Sequence, residues 1–310
     1  MCGIVGLLGK TAEIRESLGG RLTPMFTCMA ARGPDSGGLA VFNRPLDDSI
    51  RRYSVYSPDR NQDWDGLGQL LHNHLSSDSL STDKASKISD FQIRAIENHA
   101  TIIGNFDTLD LTEEISRFCP ALRILSVGRS IEVYKDVGEP AEIARRFRFD
   151  SLSGTHCVGH TRMATESAVT PAHSHPFTGG EDFCLVHNGS LSNPYMLRRK
   201  LEREGLRFET DNDTEAACRY IQWKLAIGAT LEEALHEAFV ELDGFYTFLM
   251  ATHDQLTLVR DAFACKPAVV AETEDYVAVA SEFRALAHLP NVSDANIFEP
   301  EPEEIYSWPV

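Results

Sequence analysis

The stretch of sequence that decides the fold stands at the start of the chain, where residues 2–8 are Cys2-Gly3-Ile4-Val5-Gly6-Leu7-Leu8. An apolar run of this length predicts a β-strand. Cys2 comes directly before the run and becomes the first residue when Met1 is removed, which is the usual processing before a small second residue. The mature chain would then carry a thiol and a free α-amine on one residue.

That pairing joins a nucleophile to a base. The ordinary pKa of an α-amine is about 7.7–8.0, against about 8.5 for a thiol, so the amine can accept the thiol proton near neutral pH without a histidine. The position of Cys2 alone favours a cysteine that stands near the start by chance. The rest of the sequence decides between these two interpretations.

Four other segments carry residue types suited to the same chemistry, and each also has a plain structural interpretation. Arg32-Gly33-Pro34-Asp35-Ser36-Gly37-Gly38 has the composition of a surface turn. An Asn-Gly pair between apolar runs, as in Leu185-Val186-His187-Asn188-Gly189, is typical of a β-hairpin. A lone arginine, as in Gly159-His160-Thr161-Arg162-Met163-Ala164-Thr165, is most often a solvated ion-pair partner. An aspartate in Thr210-Asp211-Asn212-Asp213-Thr214-Glu215 is more often a helix N-cap.

Taken together with residues 2–6, these segments resemble class II glutamine amidotransferases. This N-terminal-nucleophile family includes asparagine synthetase, amidophosphoribosyltransferase, glucosamine-6-phosphate synthase and the large subunit of glutamate synthase. The segments follow the family's order, and the resemblance covers Cys2 to about Leu289, interrupted only by residues 43–154. It implies an enzyme that hydrolyses the side-chain amide of glutamine through a thioester on cysteine.

The resemblance also assigns the catalytic roles. Cys2 would be the nucleophile, and its α-amine would act first as base and then as acid. Asn188 and Gly189 would hold the oxyanion of the tetrahedral intermediate with a side-chain amide and a backbone N–H.

A second group of residues would bind the amino-acid end of the substrate. The planar fork of Arg162 suits the α-carboxylate of glutamine, because it can bond both oxygens at once. Asp213 would bind the α-ammonium group, with Asp211 as the neighbouring alternative. Thr165 and His187 are the further substrate-binding residues that the resemblance implies.

Two positions depart from the family pattern. Met163 stands where relatives usually have tryptophan or tyrosine, and Glu166 stands where some relatives have histidine. Both positions lie near the part of such enzymes that shields the nascent ammonia. We therefore expect the active site of this chain to close differently.

The implied fold class is α+β, the four-layer αββα sandwich of N-terminal nucleophile hydrolases. We expect residues 1–310 to form a single amidotransferase domain, with residues 43–154 as an insertion or elaboration within it. The segment after residue 155 predicts strands and helices most clearly. Strands are predicted at 157–161, 183–187, 245–252, 255–261, 268–271 and 276–280, and helices at 195–204, 214–227 and from 230 onwards.

The predicted insertion is less regular. Its most distinct pattern is a set of apolar residues at helical spacing, Ile88, Phe91, Ala95 and Ile96, which predicts an amphipathic helix. Strands are predicted at 101–106 and 122–127.

Composition excludes several other classes of protein. Lys and Arg number 29 against 46 Asp and Glu, a net charge of −17, which would repel a nucleic-acid backbone. No segment approaches the roughly 20 uncharged apolar residues of a membrane span. We expect no secretory signal, because the first residues lack a cationic stretch followed by an apolar run. The 7 cysteines are scattered and odd in number, so we expect a reducing, cytoplasmic location.

A functional metal site is not expected. The chain has no Cys-x-x-Cys pair, and the histidine pairs His72/His74 and His173/His175 lack a carboxylate or thiolate complement at regular zinc spacing. We also expect no cofactor in this chain.

The family's classical members fuse this domain to a synthase that consumes the ammonia, and these 310 residues contain no such segment. The chain is most similar to the separate amidotransferase polypeptides of N-methylglutamate synthase and related glutamate-synthase-like complexes. That similarity implies partners, a glutamate-synthase-like flavoprotein that carries FMN and a β-helix subunit. The substrate would be L-glutamine or another γ-glutamyl amide, and the amine carried would be ammonia or methylamine.

Two alternatives stay open at this point. One is a stand-alone γ-glutamyl amidohydrolase of the same fold. The other is a non-catalytic regulatory subunit, which the presence of Cys2, Arg162, Asn188 and Asp213 makes the weakest of the three.

Overall fold

The computed structural model of the chain describes residues 2–77, 91–105, 111–164 and 168–310, with the backbone alone at 74–77. Its strands are β1 (Gly3–Gly9), β2 (Ser36–Phe42), β3 (Ile50–Tyr56), β4 (Phe91–Ile96), β5 (His99–Asn105), β6 (Arg123–Gly128), β7 (Ile131–Val137), β8 (His156–Arg162), β9 (Phe177–Thr178), β10 (Cys184–Leu191), β11 (Gly244–Ala251), β12 (Gln255–Arg260), β13 (Val269–Glu272), β14 (Tyr276–Ala280), β15 (Asn296–Phe298) and β16 (Ile305–Pro309). Its helices are α1 (Ala12–Glu16), α2 (Leu18–Cys28), α3 (Trp64–Ser77), α4 (Leu111–Phe118), α5 (Pro140–Arg146), α6 (Pro194–Arg203), α7 (Asp213–Ala226), α8 (Leu231–Glu241) and α9 (Phe283–Leu286).

Two antiparallel sheets stack face to face. The first has the order β15-β13-β14-β1-β8-β2-β7, and the second has the order β16-β12-β11-β10-β9. The first strand of the chain therefore lies in the middle of the larger sheet, between β14 and β8. Helices α1, α2, α5 and α9 cover the outer face of the first sheet, and α6, α7 and α8 cover that of the second. The fold is the predicted αββα sandwich.

Strand β1 shows why this order of layers follows from the sequence. Val5 and Leu7 belong to the core under the helices, while Ile4 and Leu8 belong to the core between the sheets. Successive side chains of a strand point to opposite faces, so a strand in an inner layer has to be apolar at every position. All 7 residues of β1 are buried.

Strands β3 to β6 form a separate sheet with the order β4-β5-β3-β6. It has its own core, in which Tyr53, Ile102 and Leu111 are buried. This sheet is confined to residues 50–128, whereas β7 pairs with β2 and α5 packs in the core of the sandwich. The last part of the segment 43–154 therefore belongs to the main layers.

The predicted helix around residues 88–96 is wrong where the structure describes it. Residues 91–96 form strand β4, which pairs with β5 along its whole length. Phe91 and Ile93 alternate with exposed Gln92 and Arg94, and Glu97 turns the chain with a φ of 51°. Pairing with β5 therefore determines the conformation of this segment, and the helical spacing of four apolar residues does not. Ile88, the first of those four residues, lies outside the described residues.

Most elements of the second half of the chain lie where they are predicted. The helix predicted from residue 230 onwards begins with a capping box, in which the Thr230 side chain accepts from the Glu233 backbone N–H while the Glu233 side chain accepts from the Thr230 backbone N–H. Within the described ranges, no helix is long and apolar enough to cross a membrane.

Several buried histidines make the stability of the fold depend on pH. Burial lowers the pKa of His99 to about 3, of His156 to about 4 and of His160 to about 3. Each is neutral when folded and takes up a proton on unfolding once the pH falls below about 6.5, so stability falls as the pH falls from there towards 4. We expect each of these histidines to lower the free energy of unfolding by about 1 kcal/mol between pH 6.5 and 5.5.

Urea unfolding at pH 7.5 and 5.5 checks this expectation. The unmodified chain should unfold at a clearly lower urea concentration at pH 5.5. His156→Phe removes one of the three groups and should reduce the pH dependence by about one proton. Equal stability at the two pH values would show that these histidines titrate normally in the folded chain.

Candidate active site

Cys2 lies at the open end of the first strand of the sandwich. Its neighbour Gly3 pairs with Thr161 near the end of β8, so the thiol is placed beside Arg162. Cys2 is partly exposed, and its Sγ atom lies 3.9 Å from the carbonyl oxygen of Met163. The thiol is therefore held at the edge of the two central strands, within reach of solvent.

A second segment fixes the main chain at Cys2. The guanidinium of buried Arg32 donates from Nε to the Cys2 carbonyl at 2.7 Å and from Nη1 to Glu282 at 2.7 Å. Gly33 allows the main chain of this segment to pack directly against β8, because an added Cβ would lie 2.4 Å from the Thr161 carbonyl carbon. The hydrogen bond from Arg32 also holds the pKa of Glu282 below its ordinary value. The segment that has the composition of a surface turn thus contacts the main chain of Cys2.

Asn188 reaches the same point from the other sheet. Its Nδ2 donates to the Cys2 carbonyl at 3.2 Å and to Ser281 Oγ at 3.0 Å, and its Oδ1 faces His160 Nε2 at 3.2 Å. The side chain is 4% exposed. Both ends of this carboxamide therefore have partners, and its N–H group is directed towards the residue that carries the thiol.

The hairpin interpretation of Asn188-Gly189 is wrong. Both residues lie inside β10, where they pair with Thr247 and Tyr246 of β11. Gly189 has a φ of 150°, and an added Cβ would lie 2.0 Å from the Phe245 carbonyl oxygen. Only glycine fits here, because the backbone bends at this position while it stays packed against β11.

Arg162 lies at the end of β8 and is 4% exposed. Its Nη1 donates to the Ala168 carbonyl at 3.0 Å. Burial lowers the pKa of the guanidinium, whereas the nearby Cys2, Asp35, Asp211 and Asp213 act in the opposite direction. The thiol and the three carboxylates therefore lie near enough to Arg162 to affect the pKa of its guanidinium.

Asp213 is the first residue of α7 and not its N-cap. Asn212 supplies the cap, since its side chain accepts from the Thr214 backbone at 2.8 Å. Asp213 is free of that task, and its Oδ2 accepts from the Leu191 backbone at the end of β10 at 2.9 Å. The neighbouring Asp211 is 72% exposed in its side chain and lies 3.1 Å from His173.

His187 lies behind Asp213, on the helix-facing side of β10. Its Nδ1 is 3.0 Å from Thr214 Oγ1 and 3.9 Å from Asp213 Oδ1, and the residue is 4% exposed. Burial lowers the pKa of His187, while Asp213 opposes that effect. The structure brings His187 to the site as a buried neighbour of Asp213.

Two positions that the sequence analysis names lie outside the described part of the chain. Thr165 and Glu166 both fall outside the described residues. Met163, the other departure from the family pattern, is 38% exposed beside Cys2. Among the described residues, no group of three or more His, Cys, Asp or Glu could hold a metal ion.

From sequence alone, no role at the site is assigned to three residues of this cluster, His160, Ser281 and Glu282. A signal for the last two is present, since Ala280-Ser281-Glu282 follows a predicted strand that pairs with the first one. A residue at the end of a neighbouring strand is brought next to Cys2 by the sheet itself.

The arrangement suits an amino-acid substrate with a reactive side-chain carbonyl. A thiol and an amide donor stand together at the strand ends, and a buried guanidinium and a carboxylate lie beside them. The two charges complement an α-carboxylate and an α-ammonium group. Chemically, a thiol can serve as a nucleophile and an amide N–H can stabilise a developing negative charge.

Comparison with known proteins gives relatives over the whole length of the chain. A family model described as a glutamine amidotransferase domain matches residues 160–288. The glutamine amidotransferase-like protein GlxB of Rhizobium meliloti (strain 1021) is 43% identical over 309 residues, which are 99% of this chain and 98% of that protein.

Two solved structures share the fold. Glutamine phosphoribosylpyrophosphate amidotransferase from B. subtilis, complexed with ADP and GMP, superposes with a TM-score of 0.60 at 19% identity over 99% of this chain. The allosteric regulatory enzyme of purine biosynthesis superposes with a TM-score of 0.62 at 18% identity, again over 99% of this chain. The chain spans 49% and 46% of these two larger chains.

Proposed function

Because the chain belongs to the class II glutamine amidotransferase family, we propose that it hydrolyses the side-chain amide of L-glutamine through a thioester on Cys2. The observation that carries the proposal is the convergence of β1, β8, β10 and the start of α7 on one point. Cys2, Arg162, Asn188 and Asp213 are brought together there from segments far apart in the chain.

The proposed reaction begins after removal of Met1. The α-amine of Cys2 takes the thiol proton, and the thiolate attacks the side-chain carbonyl carbon of glutamine. The tetrahedral intermediate collapses, and the nitrogen leaves as ammonia with the proton that the amine returns. Water, deprotonated by the same amine, then attacks the thioester carbonyl, and glutamate leaves as the Cys2 thiol is restored.

Asn188 is the proposed oxyanion donor. Its Nδ2 donates a hydrogen bond to the Cys2 carbonyl at 3.2 Å. A small rotation of the side chain would direct that N–H to the oxygen of the intermediate. The backbone N–H of Gly189 is the proposed second donor. Such donors act most strongly where water is excluded, and Asn188 is 4% exposed.

Removing this donor should slow the chemical step. Asn188→Ala should lower kcat by roughly 10²–10³-fold with a small change in KM, because the oxyanion exists only in the transition state and intermediate. Steady-state kinetics of glutamate release measures both constants. If the variant had a normal kcat and a raised KM, Asn188 would contribute to binding of the ground-state substrate and not to stabilisation of the oxyanion.

Arg162 and Asp213 are the proposed ligands of the amino-acid end. Arg162→Lys should raise KM for glutamine by a factor equivalent to about 1.5–3 kcal/mol, because a point charge replaces a two-pronged donor. The melting temperature should change little, since the lysine stem fills most of the same space. Arg15→Lys is the matched control, at a partly buried arginine outside the site, and should leave KM unchanged.

We further propose that the ammonia is received by a separate partner. What supports this is the chemistry, since ammonia is lost to solvent unless a receiving site adjoins the place of its release. The partners we propose are a glutamate-synthase-like flavoprotein with FMN and a β-helix subunit. The pathway would be glutamate or N-methylglutamate synthesis in the cytoplasm.

The test begins with the purified chain and glutamine, asparagine and γ-glutamylmethylamide as substrates. Release of glutamate from glutamine, and little hydrolysis of asparagine, is the expected result. Gel filtration after co-expression with the flavoprotein then tests the partner, and co-elution with a raised rate of hydrolysis is expected. A chain that elutes alone and hydrolyses glutamine at full rate is a stand-alone γ-glutamyl amidohydrolase.

A further inference from the structure

Three buried histidines lie behind the residues just described. His160 and His175 are stacked with ring centroids 4.0 Å apart, and His175 and His187 contact the hydroxyl of Thr214 from two sides, at 2.9 Å and 3.0 Å. Of these, His160 is the one whose ring nitrogen faces Asn188. It is 0% exposed.

The tautomer of His160 follows from its surroundings. Nε2 lies 3.1 Å from the backbone carbonyl of His187, which can only accept a hydrogen bond. Nε2 therefore carries the proton, and Nδ1, which has no hydrogen-bond partner among the described residues, is left as a bare lone pair. Burial lowers the pKa of His160 to about 3, so the ring stays neutral.

That tautomer determines which way Asn188 faces. The same Nε2–H lies 3.2 Å from Oδ1 of Asn188. In a flipped carboxamide, the Asn188 N–H would face the His160 N–H, which is unfavourable. At the far end, the Cys2 carbonyl is a second obligate acceptor and receives Nδ2. The His187 carbonyl fixes the tautomer of His160, and the Cys2 carbonyl accepts from Nδ2 of Asn188. Together they allow a single orientation of the Asn188 carboxamide.

We infer that His160 is a positioning residue that keeps the amide N–H of Asn188 directed at the oxyanion. The inference rests on the proposed function and adds to it the group that orients the donor. His160 does not touch the substrate. A flipped Asn188 would present its oxygen to the developing negative charge, which would raise the barrier of the chemical step and leave glutamine binding unchanged.

Kinetics of matched variants test this. His160→Phe keeps an aromatic ring against His175 but removes the donor, and kcat should fall by about 10²-fold with KM within about twofold. His160→Gln places an amide N–H at a similar reach and should recover kcat to within about fivefold of the unmodified chain. Binding of the γ-aldehyde analogue of glutamine, which forms a tetrahedral adduct with Cys2, should weaken in parallel with kcat.

His156→Phe is the control. It replaces another fully buried histidine of β8, which bonds the Thr252 carbonyl at 2.8 Å and stacks on Phe42 far from Cys2. This variant should be less stable but should keep the kcat of the unmodified chain. An equal loss of kcat in the two phenylalanine variants would overturn the inference, since it would reveal a purely structural effect.

A second measurement needs no variant. Imidazole ¹⁵N shifts of the labelled, unmodified chain should show His160 as the Nε2–H tautomer, with no titration between pH 5.5 and 8. An Nδ1–H tautomer, or titration near 6.5, would overturn the inference.

The outcomes also separate this inference from the proposed function. If Asn188→Ala is impaired but His160→Phe keeps full kcat, only the positioning role fails. If Asn188→Ala keeps full kcat, the oxyanion role fails and the inference fails with it. An unmodified chain that neither hydrolyses glutamine nor binds the aldehyde would overturn both.

Discussion

Cys2→Ala should abolish glutamine hydrolysis while leaving the fold intact. Removal of a nucleophile that acts together with its base costs about 10⁴-fold or more in kcat, because no other group can form the covalent intermediate. The packing loss is small, since Cys2 lies partly exposed before β1, with its sulfur 3.9 Å from the Met163 carbonyl oxygen. The melting temperature should therefore stay close to that of the unmodified chain, while glutamate release falls to background.

Two other cysteines provide the controls for this prediction. Cys28 is partly buried and Cys265 is exposed, so reagents and oxidants reach them about as easily as Cys2. Cys28→Ala and Cys265→Ala should hydrolyse glutamine at the normal rate. Normal turnover by Cys2→Ala would remove the covalent mechanism altogether, and a loss in Cys265→Ala would move the nucleophile to another part of the molecule.

Blocking the amine of Cys2 should be nearly as damaging as losing its thiol. An N-terminal extension that cannot be removed converts the amine into an amide, which has no basicity, and the thiol then has no partner to take its proton. We expect kcat to fall by roughly 10²–10⁴-fold, the usual worth of a general base. The extension leaves Arg32, Asn188 and the strands unchanged, so the chain should still fold.

A removable extension is the matched control. Cleavage directly before Cys2 should restore activity, and a cleavage site that leaves one glycine before Cys2 should not. If the extended chain hydrolysed glutamine at the rate of the cleaved chain, the α-amine would not be the base. A side chain near Cys2 would then have to take that role.

Most strands and helices of the sandwich follow from local pattern, whereas the order of its layers is implied by the resemblance. The apolar run of β1 and the helix predicted from residue 230 onwards are properties of consecutive residues, and both lie where they are predicted. The roles of Arg162 and Asp213 come from a resemblance over several segments. The structure places Cys2 and Asp213 near Arg162, and the roles themselves stay proposals.

What local pattern did not predict depends on partners far away in the chain. Asn188-Gly189 has the composition of a hairpin turn, but β11 pairs with it along the whole of β10 and keeps it extended. Ser281 meets Asn188 across 93 residues of sequence, a contact that exists only because β14 and β10 belong to stacked sheets. The assignment of the N-cap to Asn212 leaves Asp213 available, and two adjacent polar residues gave no local reason to prefer one of them.

One labelling reaction tests both proposed properties of Cys2, that it is the first residue of the mature chain and that it is the nucleophile towards glutamine. The most direct measurement is peptide mapping by mass spectrometry after treatment with the γ-diazoketone analogue of glutamine, which alkylates a thiol that attacks it. We expect one adduct, on a peptide that begins with Cys2 and lacks Met1, and we expect excess glutamine to protect that peptide. Labelling of Cys28 or Cys265 instead, or an unlabelled Cys2 with a free amine, would contradict it.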